Sequence, residues 1–224
     1  MKRGQGRNFS EVDEIATSDV LPRLAILAQR GRQLVARLGQ LIERLLHAYR
    51  RRKARRQLAA KHIRSVLFLC HGNVYRSPYA AAALKHALAA TPLSASIKVV
   101  SAGFTAPGRR VPEGALSAAR TRGIDLSSHL STLVTAHAVA DMDLVAVMSH
   151  DQARGIGSRH GPAATILILG DLDPLPIRSR TITDPLGRDA DVVEEVYSRI
   201  DRCVEQLAEL IAKSPRRLES LSYV

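Results

Sequence analysis

Cys70 and Arg76 are the first residues whose types and spacing can do chemistry. They bracket the run Cys-His-Gly-Asn-Val-Tyr-Arg, which continues into Ser77-Pro78. The stretch between thiol and guanidinium is short enough to wrap one tetrahedral anion. Set between a strand end and a helix start, the N–H groups of residues 71–76 would converge on that anion, and the positive end of the helix would reinforce them. Arg76 can fork two donors onto phosphate oxygens, a geometry lysine cannot match. The same field favours the thiolate of Cys70, and Ser77 is placed to donate a hydrogen bond to it, which makes Cys70 a nucleophile. Gly72 permits backbone conformations closed to other residues, and Asn73 tolerates the left-handed region. His71, Gly72, Asn73, Val74, Tyr75 and Ser77 are therefore the expected substrate-binding residues.

A nucleophile that displaces an oxyanion needs a partner to protonate the leaving oxygen. Asp184 can supply that proton from a loop, and Pro185 biases it towards an extended backbone. On residue type alone Asp184 is also a plain turn aspartate, and Asp171, Asp173 and Asp189 compete with it.

The elements that must position these groups alternate in type. Apolar runs at 63–69, 97–101, 143–148 and 165–169 predict strands, the first ending at Cys70. Helical patterns at 77–90, 113–122, 151–159 and 190–213 lie between and after them, and a proline-bearing loop (Pro174, Pro176, Pro185) precedes the last. Continuous apolar strands separated by helices predict an α/β fold: a four-stranded parallel sheet with helices on both faces. Ligands of such sheets bind at the carboxyl ends of the strands, where Cys70 stands.

At this point the chain resembles the low-molecular-weight protein tyrosine phosphatases, a flavodoxin-like fold shared with some arsenate reductases. VLFLCHGNVYRSPYAAAAL is similar to that family's opening segment. SAGF (Ser101–Phe104) resembles its second-strand exit, GIDLSSH (Gly123–His129) its middle, and ITDPLGRD (Ile182–Asp189) its general-acid loop. The resemblance covers roughly residues 63–213. It implies a phosphocysteine mechanism with Cys70 as nucleophile, Arg76 as clamp and Asp184 as acid and then base. It also implies supporting roles for Ser77, Asn73, Ser101 and His129, while Pro185 is expected to support Asp184 through its backbone restriction. Two departures stand out: Tyr75 replaces a second loop cysteine, and Leu186-Gly187 replaces an aromatic pair that walls the pocket in some members. With Cys203 the sole other thiol, an arsenate-reductase route falls to a minor alternative. A phosphate- or phosphoprotein-binding module with little turnover is the alternative from outside enzymology.

The 224 residues divide into a basic helical extension (1–62), a phosphatase domain (63–214) and a tail (215–224). Residues 1–62 carry 15 Lys/Arg against 5 Asp/Glu, whereas residues 63–224 carry 18 against 16, so the basicity belongs to the extension. Residues 1–17 are polar and predict a mobile segment. Thr17, Ser18 and Asp19 offer helix caps, and Leu24, Leu27, Leu34, Leu38, Leu41 and Leu45 form an amphipathic stripe. Arg50–Arg56 holds six basic residues in seven. The stripe predicts packing on the main domain or self-association through residues 18–56; an anionic membrane surface is the sharper alternative. Nucleic acid is disfavoured, because Tyr49 is the sole aromatic beside the basic run.

Two cysteines exclude a disulfide framework, no apolar run is long enough to span a bilayer, and no signal-peptide pattern opens the chain. The expected compartment is the cytoplasm, with the inner membrane face as a peripheral option. The eight histidines are scattered without paired-ligand spacing. No metal or other cofactor is expected.

Overall fold

Four short strands carry the architecture of the computed structural model, which describes residues 10–213 apart from 94 and 161–164. They are β1 (Ser65–Cys70), β2 (Lys98–Gly103), β3 (Leu144–Val147) and β4 (Thr165–Ile168). All pair in parallel in the order β2-β1-β3-β4, with Val66 opposite Val99 and Leu144, and Leu144 opposite Thr165. The helices are α1 (Ser10–Ala59), α2 (Arg76–Ala89), α3 (Glu113–Arg120), α4 (Ala136–Ala140), α5 (His150–His160) and α6 (Ala190–Lys213). A 3-10 turn, Leu169–Leu172, follows β4.

Both sheet faces are covered because successive strand side chains point to opposite sides and nearly all are apolar. Val66, Phe68, Cys70, Leu144, Ala146 and Met148 pack with α2, α3 and α6 in one core. Leu67, Leu69, Val145 and Val147 pack with Val139, Met142 and Ile156, from the α4–α5 side, in the other. The expected four-stranded parallel α/β sheet is what the chain forms. Helix α4 went unread because five residues are too few to show a 3.6-residue period.

The helix preceding the sheet is longer than its predicted caps allow. It starts at Ser10, so Thr17–Asp19 and Pro22 lie inside it, and it runs on through the basic stretch to Ala59. Arginine, leucine, alanine and glutamine hold the helical conformation well, so the charge run alone supplies no stop. Residues 1–9 and the tail 215–224 lie outside the described residues, as do the side chains of Leu24, Leu27 and Leu34. The chain divides into compact units 1–44 and 45–224. In the second, Ala54 and Leu58 of α1 join the buried core, so that unit begins inside the helix and not at residue 63. Leu38, Leu41, Ile42 and Leu45 of the stripe are exposed. Among the described residues no helix is long and apolar enough to cross a membrane.

Candidate active site

Strand β1 ends at Cys70 and helix α2 begins at Arg76, so the intervening loop sits at the carboxyl edge of the sheet. Cys70 Sγ accepts two hydrogen bonds there, from the amide of Asn73 at 3.2 Å and from Ser77 Oγ at 3.0 Å. Both donors point at the sulfur, one from the loop and one from the first turn of α2.

Asn73 is the hub that shapes the loop. It takes a left-handed backbone, φ 51°, as its residue type allows. Its Nδ2 donates to Ser77 Oγ and to Ser101 Oγ, each at 2.9 Å, while its Oδ1 accepts from the amide of Thr132 at 2.9 Å. Its carbonyl meets His129 Nε2 at 2.9 Å, and a carbonyl only accepts, so that nitrogen carries the proton. Ser101 and His129 thus touch the loop through Asn73. Gly103 lets β2 run close beneath: a Cβ there would lie 2.8 Å from the Asn73 nitrogen.

Gly72 departs from its expected role. The glycines with positive φ among the described residues are Gly108, Gly123 and Gly187. A Cβ at Gly72 would come within 2.8 Å of Arg109 Nη2, the far end of a flexible side chain that can give way. That nitrogen donates to Gly72 O at 2.8 Å, and Arg109 Nε donates to Ala106 O at 3.1 Å. Arg109 holds the outer wall of the loop, a role no spacing or period in the sequence marks.

Arg76 is buried, and its guanidinium reaches two groups of the acid loop. Nη1 donates to Ile182 O at 3.0 Å, and Nη2 forms an ion pair with Asp184 Oδ2. Asp184 Oδ1 accepts from the amide of Leu186, and Pro185 is buried beside it. Two of the three rivals are engaged elsewhere: Asp171 pairs with Arg180, and Asp173 pairs with Arg199 and Arg202. A cavity of about 20 Å3 is lined by Cys70, His71, Gly72, Val74, Tyr75, Arg76, Arg109, Asp184 and Leu186. Burial and then the Asp184 charge raise the Tyr75 hydroxyl above the ordinary tyrosine range.

Behind the loop, Tyr79 of α2 stacks on Tyr197 of α6, with centroids 3.7 Å apart and planes within 4°. Tyr197 donates to Tyr75 O at 3.4 Å, and Tyr79 donates to Asp201 at 2.6 Å. Arg122 binds Asp201 and Glu194 and lies 6.0 Å from the Tyr197 ring centroid. Neither tyrosine was legible as a loop support, since each reads as an ordinary apolar helix position.

A sulfur seated among donors at a parallel strand's end, with five residues between it and a buried arginine, is how enzymes take a phosphoryl group onto cysteine. That is the class this fold and site define. The profile of the low molecular weight phosphotyrosine protein phosphatases matches residues 65–217, and the chain belongs to that family. Among similar curated proteins is a probable low molecular weight protein-tyrosine-phosphatase, EpsP, of Ralstonia nicotianae. It is 33% identical over 146 residues, covering 64% of this chain and 92% of the relative. The human low molecular weight phosphotyrosine protein phosphatase is 29% identical over 68% of this chain and 98% of its own. A protein-arginine-phosphatase of Bacillus subtilis is 28% identical over 67% and 99%. Among solved structures, the tyrosine phosphatase Wzb of Escherichia coli K30 with sulphate superposes at a TM-score of 0.57 and 26% identity. It covers 66% of this chain and 97% of that one. Residues 1–64 lie outside the matched segment.

Proposed function

We propose that the chain hydrolyses phosphotyrosine in proteins through a phosphocysteine intermediate. Cys70 Sγ attacks phosphorus, and the S–P bond forms as the bond to the leaving oxygen breaks. Arg76 binds the phosphoryl oxygens, and Asp184 gives its proton to the departing oxygen. Water then attacks the thiophosphate while Asp184 takes a proton from it, phosphate departs, and the thiolate returns. His71, Val74 and Tyr75 form the surround of the phosphoryl group, with Leu186 at its rim.

The observation that carries this reading is the pair of donors on Cys70 Sγ. Binding an anion requires no nucleophile, whereas a sulfur held by two donors beside a guanidinium serves group transfer. Arg76 Nε adds support, because it is buried and has no hydrogen-bond partner among the described residues. That donor fits a phosphoryl oxygen.

The test is a turnover panel of phosphotyrosine peptide, phosphoserine peptide, phosphoarginine and arsenate, with Cys70→Ser as blank. Hydrolysis of the phosphotyrosine peptide, lost in Cys70→Ser, is expected. Phosphate binding without turnover above the blank would instead make this a binding module. Preference for phosphoarginine would align it with the Bacillus relative, and arsenate reduction would make it a reductase.

We further infer a cytoplasmic enzyme that self-associates through α1. The exposed Leu38, Ile42 and Leu45 recur at the alternating four and three spacing of a two-helix seam, which suits a second copy of this helix. Sedimentation of the full chain and of Leu38→Glu/Ile42→Glu is expected to give a dimer and a monomer. Binding of monomer to anionic vesicles, with no dimer, would favour the membrane instead.

A further inference from the structure

The segment carrying Asp184 is fastened by a side chain from the far end of the domain. Arg199 of α6 donates from Nη1 to Thr181 O at 2.9 Å and from Nη2 to Ser179 O at 2.7 Å. One residue on, the amide of Ile182 bonds to Met148 O at 2.9 Å, and Ile182 O accepts from Arg76. Asp184 follows two residues later. Arg199 is therefore a grip on the strap that ends in the proton donor.

That grip is itself held. Arg199 Nε donates to Asp173 Oδ2 at 3.2 Å, and Arg202 donates to both oxygens of the same carboxylate, at 3.0 and 3.1 Å. The Asp173 side chain is 1% exposed. Buried ion pairs contribute little net stability, so a carboxylate kept in this position by two guanidiniums serves geometry more than energy. Gly170 belongs to the same joint: a Cβ there would collide with the Arg180 carbonyl and lie 3.0 Å from Arg199 Nη2.

The joint also reaches helix α1. His47 is 5% exposed, and its Nε2 meets the main-chain oxygen of Asp173 at 2.9 Å, with Nε2 as the donor. His47 lies outside the segment that the family profile matches. Hydrogen bonds thus run from His47 to Asp173, to Arg199, to the carbonyls of residues 179 and 181.

We propose that Arg199 is a positioning residue for Asp184, and that His47 secures it through Asp173, so that α1 sets how well the proton is presented. The proposal rests on Asp184 acting as general acid. In the step concerned, the Asp184 O–H bond breaks and the leaving oxygen gains that proton as sulfur bonds to phosphorus. Arg199 neither gains nor loses a proton.

The experiment compares kcat/KM for 2,4-dinitrophenyl phosphate and phenyl phosphate in the full chain. Dinitrophenolate leaves without a proton, whereas a phenol near the tyrosine value of about 10 needs one. The ratio of the two rates therefore reads proton donation alone, and a merely structural defect moves both substrates together. Asp184→Ala is expected to raise the ratio about a hundredfold, Arg199→Met about tenfold, and His47→Leu about threefold. Arg199→Lys keeps a charge beside Asp173 and supplies the measurement if the methionine variant does not fold. A wild-type ratio in the Arg199 variants, with Asp184→Ala raised, overturns the proposal and leaves the general acid standing. A wild-type ratio in His47→Leu alone overturns the link to α1. A wild-type ratio in Asp184→Ala overturns the general-acid reading and the proposal together.

Discussion

Asp184 and Arg76 are bridged by an ion pair, so the proposed proton donor occupies the guanidinium that the proposed reaction gives to the phosphoryl group. The cavity beside them is about 20 Å3, little more than the space for one water. Substrate phosphate and the Asp184 carboxylate therefore compete for Arg76. Asp184→Ala is expected to lower kcat on phenyl phosphate by about 10² to 10³. The same substitution removes the competitor, so inhibition by inorganic phosphate should tighten severalfold. Inhibition measured on both proteins checks this, and weaker phosphate binding in the variant would show that Asp184 assists the anion.

Asn73 combines a backbone demand with a side-chain demand, and two substitutions separate them. Asn73→Ala puts an ordinary residue in the left-handed region, at about 1 to 2 kcal/mol, and strands donors and acceptors around Ser77, Ser101 and Thr132. Asn73→Gly relieves the backbone but leaves the same groups without their partner. The glycine variant is expected to melt above the alanine variant while both lose at least about tenfold in kcat/KM. Iodoacetamide labelling of Cys70 should slow in both, because Ser77 loses the bond that orients its hydroxyl. Melting curves and labelling rates decide it, and an alanine variant with wild-type labelling would remove Asn73 from the support of the sulfur.

The sheet and the loop were legible because both are local signals. Four apolar runs announced the strands, and Cys70 to Ser77 lie within eight consecutive positions. Arg199 and Arg109 were not, since each grips main-chain oxygens that any residue could supply, and nothing in composition marks a carbonyl as a target; Asp173 was not because its arginine partners lie 26 and 29 residues away. The end of α1 failed for a related reason. Arg50–Arg56 read as a charge run, yet Ala54 faces the core from within it, and one alanine gives no hydrophobic period. Gly103 shows a third limit: a glycine can give room as well as backbone freedom, and a sequence does not say which.

Truncation distinguishes the two boundaries. Removing residues 1–44 leaves the unit 45–224 with His47, Ala54 and Leu58 in place, and turnover of an aryl phosphate should stay within about twofold. Removing residues 1–60 deletes all three. Leu58 is 1% exposed, and losing a buried leucine side chain costs about 2 to 5 kcal/mol, a large part of a domain's stability. The shorter protein is expected to lose its cooperative unfolding transition or to melt well below the longer one. Equal urea midpoints for the two would assign the whole helix to the extension.

Cys203 gives the stability of the fold a dependence on alkaline pH. It is buried in α6, and burial, then the Asp173 charge, push its thiol up to about 12 from an ordinary 9.0, while Arg199 and Arg202 oppose the shift. A raised value means that the folded protein keeps a proton the unfolded chain releases. The contribution is therefore complete below about pH 9 and is lost as pH rises from there to about 12, at up to 1.4 kcal/mol per pH unit. Tyr79 and Tyr197, raised chiefly by burial, add to the loss only above the ordinary tyrosine value of 10.0. Cys203→Ala should flatten the decline of the urea midpoint between pH 8.5 and 10, while being less stable than wild type at neutral pH for want of the sulfur. Parallel declines in the two proteins over that range would show that Cys203 ionises as readily in the folded state as in the unfolded chain.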